Sequence, residues 1–328
     1  MSPGVVAAVC VSDRKGIPKR AAEAVRLVAD RGIEGDAHAG SGHRQVSLLA
    51  EADIEAMRAT GLQLPPGAFG ENLVLRGIEL EGLGAGSRLA IGEAELEITQ
   101  VGKTCHTRCA IYYQAGDCIM PRLGLFARVV QGGELSAGTA VEVLATVDPK
   151  TLQIGVVTVS DRCAAGRTRD TAGPAVAEAA CRALHARLAW AGVVPDHHEA
   201  IAATLQELAD RDLGLVLTVG GTGLAPGDVT PEATRAVVER EVPGLAEARR
   251  AASAAITPNA WLSRGVCGVR RRTLIVNLPG SRKGAVENLQ AILPVLPHAL
   301  RMLRGDAFHP GTDADRELPA AGAPEVCP

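Results

Sequence analysis

Apolar and polar positions change their period midway along the chain. Up to about residue 145 the apolar residues come in short runs and alternations. Met1–Val11 leads into the run Val5-Val6-Ala7-Ala8-Val9-Cys10-Val11, which predicts a first strand. Ser87–Thr99 alternates on both sides of Gly92-Glu93 and predicts a hairpin. Val141–Leu144 predicts a closing strand, and one helix is expected around Ala50–Thr60. This half reads as mainly β, with a barrel-like architecture. Beyond Thr146–Thr151 the pattern lengthens. Ile154–Val159 predicts a strand, Thr171–Leu188 an amphipathic helix, and Val193 marks another strand. His198–Arg211 predicts a helix, and Leu213–Val219 and Thr273–Val276 predict buried strands. Strands alternating with helices imply βαβ units, hence an α/β/α domain with a mainly parallel sheet and helices on both faces.

The expected division is therefore a β-rich domain over 1–145, a linker over 146–152, an α/β/α domain over 153–306 and a flexible tail over 307–328, which is rich in Pro, Ala and Asp. A length of 328 residues suits two domains. A net charge of −3 and only 2% aromatic residues argue against a nucleic-acid partner. No apolar stretch is long enough to cross a membrane, and the N-terminus lacks the basic start of a signal peptide. The eight cysteines are spread along the chain, which fits reduced thiols in the cytoplasm.

Candidate chemistry concentrates where strands end. Gly220-Gly221-Thr222-Gly223 follows the Leu213 strand, and Asp228-Val229-Thr230-Pro231-Glu232 leads into a helix. Thr230 is expected to supply an N-cap hydroxyl, with proline at the first helical position. A strand, a glycine-rich loop and a helix start aim backbone N–H groups at an anion, and Asp228 adds a carboxylate for a phosphate-bound cation. A tight turn is the competing reading of the loop. Three further loops carry polar residues after strands: Ser160-Asp161-Arg162 with Asp170 and Gly173, then Pro195-Asp196, then Asn277-Leu278-Pro279-Gly280-Ser281. In open α/β sheets ligands sit at the carboxyl ends of strands.

These blocks, with Leu262-Ser263-Arg264, resemble the MoaB/Mog family over about residues 152 to 306. The resemblance implies an α/β/α fold, commonly trimeric, and transfer of AMP from ATP to the terminal phosphate of molybdopterin with release of pyrophosphate. It implies Mg²⁺, ATP and molybdopterin as the ligands. Asp196 and Asp228 would hold or orient the metal and the reacting phosphates. Gly220, Gly221, Thr222, Gly223, Thr230 and Glu232 would surround the nucleotide. Ser263 and Arg264 would contact the pterin or its phosphate, with a structural ion pair as the alternative for Arg264. Asn277, Pro279, Gly280 and Ser281 would shape the pocket. Ser160 and Asp161 would either contact nucleotide or cap a helix.

The first half carries Gly35-Asp36-Ala37-His38, His43-Arg44, Pro66-Gly67-Ala68-Phe69-Gly70-Glu71-Asn72, Lys103-Thr104-Cys105-His106-Thr107-Arg108-Cys109 and Asp117-Cys118. In this order the blocks resemble the MOSC domain over about residues 4 to 145. That resemblance implies binding of molybdenum cofactor or sulfur carriage on cysteine. Asp36, His38, His43, Arg44, Lys103, Cys105 and Cys109 are its candidate residues. Lys103, His106 and Arg108 around Cys105 would favour a thiolate. A zinc site from Cys105, Cys109 and two of His38, His43 and His106 is a competing reading, weak because no second cysteine pair follows. Cys118 stays unassigned, and Cys10, Cys163, Cys181 and Cys267 read as structural. Together the halves imply a homo-oligomeric enzyme of molybdenum cofactor biosynthesis, with molybdenum-insertion or sulfur-donor proteins as partners. A cofactor carrier without catalysis, or sulfur transfer by the first half, is the alternative.

Overall fold

The computed structural model describes residues 4–103, 112–113 and 118–305. Eleven strands build the first half: β1 (Gly4–Val11), β2 (Arg20–Ala22), β3 (Ala24–Val28), β4 (Gly32–Ile33), β5 (Val46–Ala50), β6 (Leu73–Arg76), β7 (Arg88–Ile91), β8 (Ala94–Val101), β9 (Leu125–Gln131), β10 (Gly133–Ser136) and β11 (Ala140–Ala145). The order β11-β7-β8-β9-β5-β6-β1 closes on itself because β1 also pairs with β11, Gly4 opposite Val141. Closure removes the free edges of the sheet. β2 pairs with the far end of β1, and β10-β3-β4 form a separate small sheet. Helices α1 (Glu51–Arg58) and α2 (Met120–Leu123) lie in this half. The barrel interior is aliphatic, filled by Val6, Leu48, Leu73, Leu89, Leu96 and Val129 among others.

One ionic group is built into this half. The Asp36 carboxylate is fully buried and accepts from Lys19 Nζ at 2.5 Å, Ser12 N at 3.1 Å, Asn72 Nδ2 at 3.1 Å and His38 N at 2.9 Å. Burial by itself would raise its pKa. The bonds from His38 and Lys19 outweigh burial and hold the carboxyl well below the usual range. Burial pulls the Lys19 ammonium down, against the Asp36 bond. Nearby, Glu71 accepts from Gly67 N and Phe69 N, and burial pushes its pKa up.

The second half contains β12 (Gln153–Val159), β13 (Arg187–Val194), β14 (Leu215–Val219), β15 (Arg240–Glu241), β16 (Cys267–Arg270) and β17 (Thr273–Leu278). Its helices are α3 (Asp161–Ala164), α4 (Ala172–Leu184), α5 (His198–Asp210), α6 (Thr230–Val237), α7 (Pro243–Ala254), α8 (Arg282–Ile292) and α9 (Leu296–Arg304). α4 and α8 cover one face of the sheet, and α5 and α6 cover the other. The expected mainly parallel sheet is corrected to a mixed one. β13, β12, β14 and β17 run parallel, but β16 and β15 are antiparallel additions. The reason is local: only Arg271-Arg272 separate β16 from β17, and so short a turn joins antiparallel strands only. The expected helix over Thr171–Leu188 is also too long. It ends at Leu184 with His185 left-handed at φ +48°, and Arg187 opens the edge strand β13.

The connection between the halves is packed against the barrel. Gly84 N donates to Val147 O at 2.7 Å, and Val147 N donates to Ser87 Oγ at 2.9 Å. A Cβ on Gly84 would come within 2.7 Å of Pro149 Cα, so this approach requires glycine.

Replacing Lys19 with methionine leaves Asp36 buried without its cation. Urea unfolding at pH 7 should show a loss of about 3–5 kcal/mol, and adding Asp36→Asn should recover part of it.

Candidate functional site

β12 and β14 run parallel with Thr158 opposite Val219, so their carboxyl ends lie side by side. Three loops meet there. Asp161 and Asp196 exchange hydrogen bonds: Asp161 N donates to Asp196 Oδ2 at 2.8 Å, and Asp196 N donates to Asp161 Oδ1 at 3.0 Å. Ser160 is the N-cap of α3, its Oγ accepting from Cys163 N at 3.3 Å. That places Ser160 in the helix-capping role. Asp170 caps α4 by accepting from Ala172 N and Gly173 N at 3.0 Å each, and it accepts from Thr158 Oγ1 at 2.7 Å.

The glycine loop closes the third side. Gly220 has φ +110° and Gly221 has φ +60°. A Cβ on Gly220 would stand 2.3 Å from Val159 O, and one on Gly221 would stand 2.3 Å from Thr230 Oγ1 and 3.0 Å from Asp196 Oδ1. These two glycines let the loop lie against the neighbouring strand and carboxylate. Asp228 folds the loop back on itself, its Oδ2 accepting from Ala225 N at 2.9 Å.

The loops enclose a cavity of about 700 Å³, lined by Asp161, Asp170, Asp196 and Asp228 together with Arg162, Arg169 and Arg282. Gly220, Gly221, Gly280, Ser281 and Ser160 also line it. Burial is the largest cause that raises the Asp196 pKa, and the Asp161 and Asp228 carboxylates add to it. Four carboxylates, of which Asp196 is held less readily ionised, set beside three arginines can receive a polyphosphate together with a cation.

Several expected site residues lie elsewhere. Arg264 donates through Nε to Gly223 O at 2.6 Å, bonds to Asp228 O and pairs with Glu232, so it clamps the loop from behind. This is the structural alternative, and it accounts for Glu232 too. Ser263 lines a separate cavity of about 360 Å³ with Arg235 and Arg250. Asn277 is fully buried: its Oδ1 accepts from Val266 N, and its Nδ2 donates to the hydroxyls of Thr218 and Thr234. It holds β14, β17 and α6 together beneath the site. Thr222 is buried, and its carbonyl accepts from Arg264 N. Thr230 is not the N-cap. Val229 takes that position, and the Thr230 hydroxyl, fully buried against Gly221, has no hydrogen-bond partner among the described residues. Pro279 is half-buried beside α8, whereas Ser281 caps α8 through Gly284 N at 3.2 Å. Arg169 and Arg282 were missing from the expected set, and Asp170 was noted there only as a polar loop residue. The available signal was their place in the segments that lead from β12 to α4 and from β17 to α8.

In the first half Asp36 and His38 share the Lys19 group, His38 Nδ1 lying 3.2 Å from both Asp36 Oδ1 and Lys19 Nζ. Lys19 has no sequence signal of its own. His43 and Arg44 converge on Gln100 instead. Arg44 Nε donates to Gln100 Oε1 at 2.9 Å, and His43 Nε2 lies 3.1 Å from the same oxygen. An oxygen already accepting from arginine can only accept again, so His43 carries its proton on Nε2. Arg44 and Lys103 stand 5.3 and 5.9 Å from the Phe126 ring centroid. Cys105, His106 and Cys109 lie outside the described residues. Among the described residues no group of three or more His, Cys, Asp or Glu side chains is placed to hold a metal, and no helix is long and apolar enough to cross a membrane.

Comparison with known proteins follows this division. A family described as "Probable molybdopterin binding domain" matches residues 155–298, and the MOSC domain matches residues 35–142. Molybdopterin adenylyltransferase of Escherichia coli strain K12 is 38% identical over 189 residues, covering 53% of this chain and 95% of that protein. The chain belongs to the MoaB/Mog molybdopterin adenylyltransferase family. Its first half is a MOSC domain. Molybdenum cofactor synthesis protein cinnamon of Drosophila melanogaster is 40% identical over 158 residues, and the match spans only about a quarter of that relative's length, 26%. A crystal structure of MoaB from Thermus thermophilus is 52% identical and covers 47% of this chain and 98% of that one, with a TM-score of 0.45.

Two outcomes test this geometry. Arg264→Met in the MoaB/Mog domain removes the clamp, so hydrogen–deuterium exchange of residues 222–229 should accelerate, with a stability loss of about 1–3 kcal/mol. His43 in the MOSC domain has its pKa pushed down to about 4, first by burial and then by the Arg211 charge. An imidazole depressed on folding takes up protons more readily in the unfolded chain, so its contribution to stability is lost as pH falls from about 6.5 towards 4. Between pH 7 and pH 5 the wild type should therefore lose more urea stability than His43→Gln.

Proposed function

We propose that this protein acts in molybdenum cofactor biosynthesis by adenylylating molybdopterin with ATP, releasing pyrophosphate. The observation that carries the reading is the convergence of Asp196, Asp228 and the Gly220-Gly221 loop on one cavity with Arg162, Arg169 and Arg282 in its wall. The family relationship supports it, since the relatives of matching length are named molybdopterin adenylyltransferases.

The attacking group is a phosphate, so the protein need supply no nucleophile. It must bring two anions into line and neutralise charge on the α-phosphoryl group. The arginines offer positive charge for the polyphosphate, and the backbone of the glycine loop can approach it without side-chain obstruction. Asp161 and Asp196, locked by their mutual bonds, keep two strand ends in register as substrates bind. Magnesium fits the donor set. Asp196 and Asp228 would offer carboxylate oxygens without a third such side chain placed to join them among the described residues, and magnesium is commonly held by one or two carboxylates completed by substrate phosphates and water. When bound, it would supply charge neutralisation at the phosphates.

For the MOSC domain we propose handling of the same pterin, by binding molybdenum cofactor or carrying sulfur on Cys105. A cytoplasmic setting and self-association, as the trimer that the family resemblance implies, belong to the same proposal, and light scattering measures the latter.

The test is pyrophosphate release dependent on both ATP and molybdopterin. Asp228→Ala should lower turnover by about 10²-fold or more, with Asp196→Asn in the same direction. The raised Asp196 pKa also predicts that turnover falls as pH drops through a value above the ordinary carboxylate range. Turnover unaffected by Asp228→Ala would refute the site. Tight molybdopterin binding without ATP turnover would assign the protein to carriage.

A further inference from the structure

A second polar cavity lies away from the glycine loop, where the two halves meet. It encloses about 630 Å³ between Gln100 and Val101 of the barrel and Lys150, Arg211, Arg272 and Arg304 of the second half. A neighbouring cavity of about 410 Å³ shares Ala85, Gln153 and Arg211 with it, and adds His43 and Trp190. The cleft is held open by defined contacts. Arg44 Nη2 donates to Asp210 O at the carboxyl end of α5 at 3.2 Å, Arg187 lies 3.7 Å from Glu97, and the packed connection at Gly84 fixes the hinge side.

Charge in this cleft is unbalanced. Arg272 is neutralised by Asp212. Lys150 and Arg304 form no ion pair with any described carboxylate, and Arg211, which lies within the fields of Glu207 and Glu97 on its other side, makes no salt bridge either. Arg304 Nη1 donates to Lys150 O at 2.9 Å, which draws its guanidinium towards the lysine's own backbone. Two buried polar atoms in the shared wall, Arg211 Nε and Gln153 Oε1, have no hydrogen-bond partner among the described residues. Lys150 and Arg304 face the cavity without a carboxylate partner and attract an anion; the unmet Arg211 Nε favours a ligand that accepts from it, and the unmet Gln153 Oε1 one that also carries a donor, as a ring N–H or hydroxyl does. The volume falls within the roughly 300–1,000 Å³ typical of small-molecule sites, so a ring-bearing ligand fits better than a bare ion.

We infer that this cleft binds a phosphomonoester of a ring-containing small molecule, its phosphate held by Lys150, Arg211 and Arg304. The site needs both halves of the chain, because the cations come from the linker and the α/β/α half and the opposing wall from the barrel. It is distinct from the glycine-loop cavity, with which it shares no lining residue.

The experiment uses the full chain with neopterin monophosphate, a pterin chosen on the strength of the proposed function, against neopterin and inorganic phosphate. Calorimetry should show neopterin monophosphate binding more tightly than either control. Lys150→Gln combined with Arg304→Gln should weaken it by about tenfold or more, the scale of one lost charge-assisted hydrogen bond, while Arg304→Lys stays within about threefold. Lys150→Gln alone, whose ammonium makes no bond within the described structure, gives a second reading if the double variant fails to fold. Crystals soaked with the same probe should show its phosphate against Arg211 and Arg304. Density only at the glycine loop, an unchanged affinity in the folded variants, or inorganic phosphate binding as tightly as the ester would each overturn the inference. Pyrophosphate release from ATP and molybdopterin is measured separately, so an empty cleft leaves the proposed function standing and a silent adenylylation assay leaves the cleft standing.

Discussion

Backbone crowding at the carboxyl ends of β12 and β14 sets the geometry of the candidate site. Two loops approach so closely that Gly220 touches the Val159 carbonyl and Gly221 abuts both Thr230 and Asp196. At that separation side chains are excluded, and the polar groups that remain must satisfy one another. Asp161 and Asp196 do so by exchanging amide-to-carboxylate bonds across the two loops. The result is a rigid edge with carboxylates committed on one side and accessible on the other. Catalysis that depends on positioning two anions needs such rigidity more than it needs a reactive side chain.

Beneath this edge a second layer of polar groups holds the loop in place. Arg264 ties Gly223, Asp228 and Glu232 together from the side away from the cavity. Asn277 bridges β14, α6 and the segment before β16 in the core. Both residues brace the loop: without them its backbone would lose these bonds. The MOSC half shows the same economy, with the Asp36 carboxylate gathering Lys19, His38, Ser12 and Asn72 from distant segments.

The junction between the halves follows from electrostatics as much as from chain connection. A helix carboxyl end accepts from Arg44, and an Arg187–Glu97 pair spans the gap. The remaining cations face inward on polar cavities. Burial at this junction lowers the pKa of both Arg211 and His43.

Much of this architecture could be read from residue order alone. The change from short alternating runs to longer strand-and-helix units separates barrel from α/β/α half, because side-chain periods of 2.0 and 3.6 are local properties of the backbone. The Gly92-Glu93 hairpin, the helix at Glu51–Arg58 and the glycine loop after Val219 are legible for the same reason. Strand direction at the sheet edge was not, since the short Arg271-Arg272 turn that sets β16 antiparallel shows only once both strands are placed, and β15 joins by pairing that only the assembled sheet defines. Nor could residue order tell a side chain facing the cavity from one facing the core. Asp196 and Asp228 line the cavity while Arg264 and Asn277, from equally conspicuous motifs, do not. Lys19, Arg169 and Arg282 carry no motif, and their partners lie in other segments or loops. Burial and charge pairing between residues far apart in the chain are properties of the packed molecule, and those decided which residues line the cavities, which brace and which meet across the cleft.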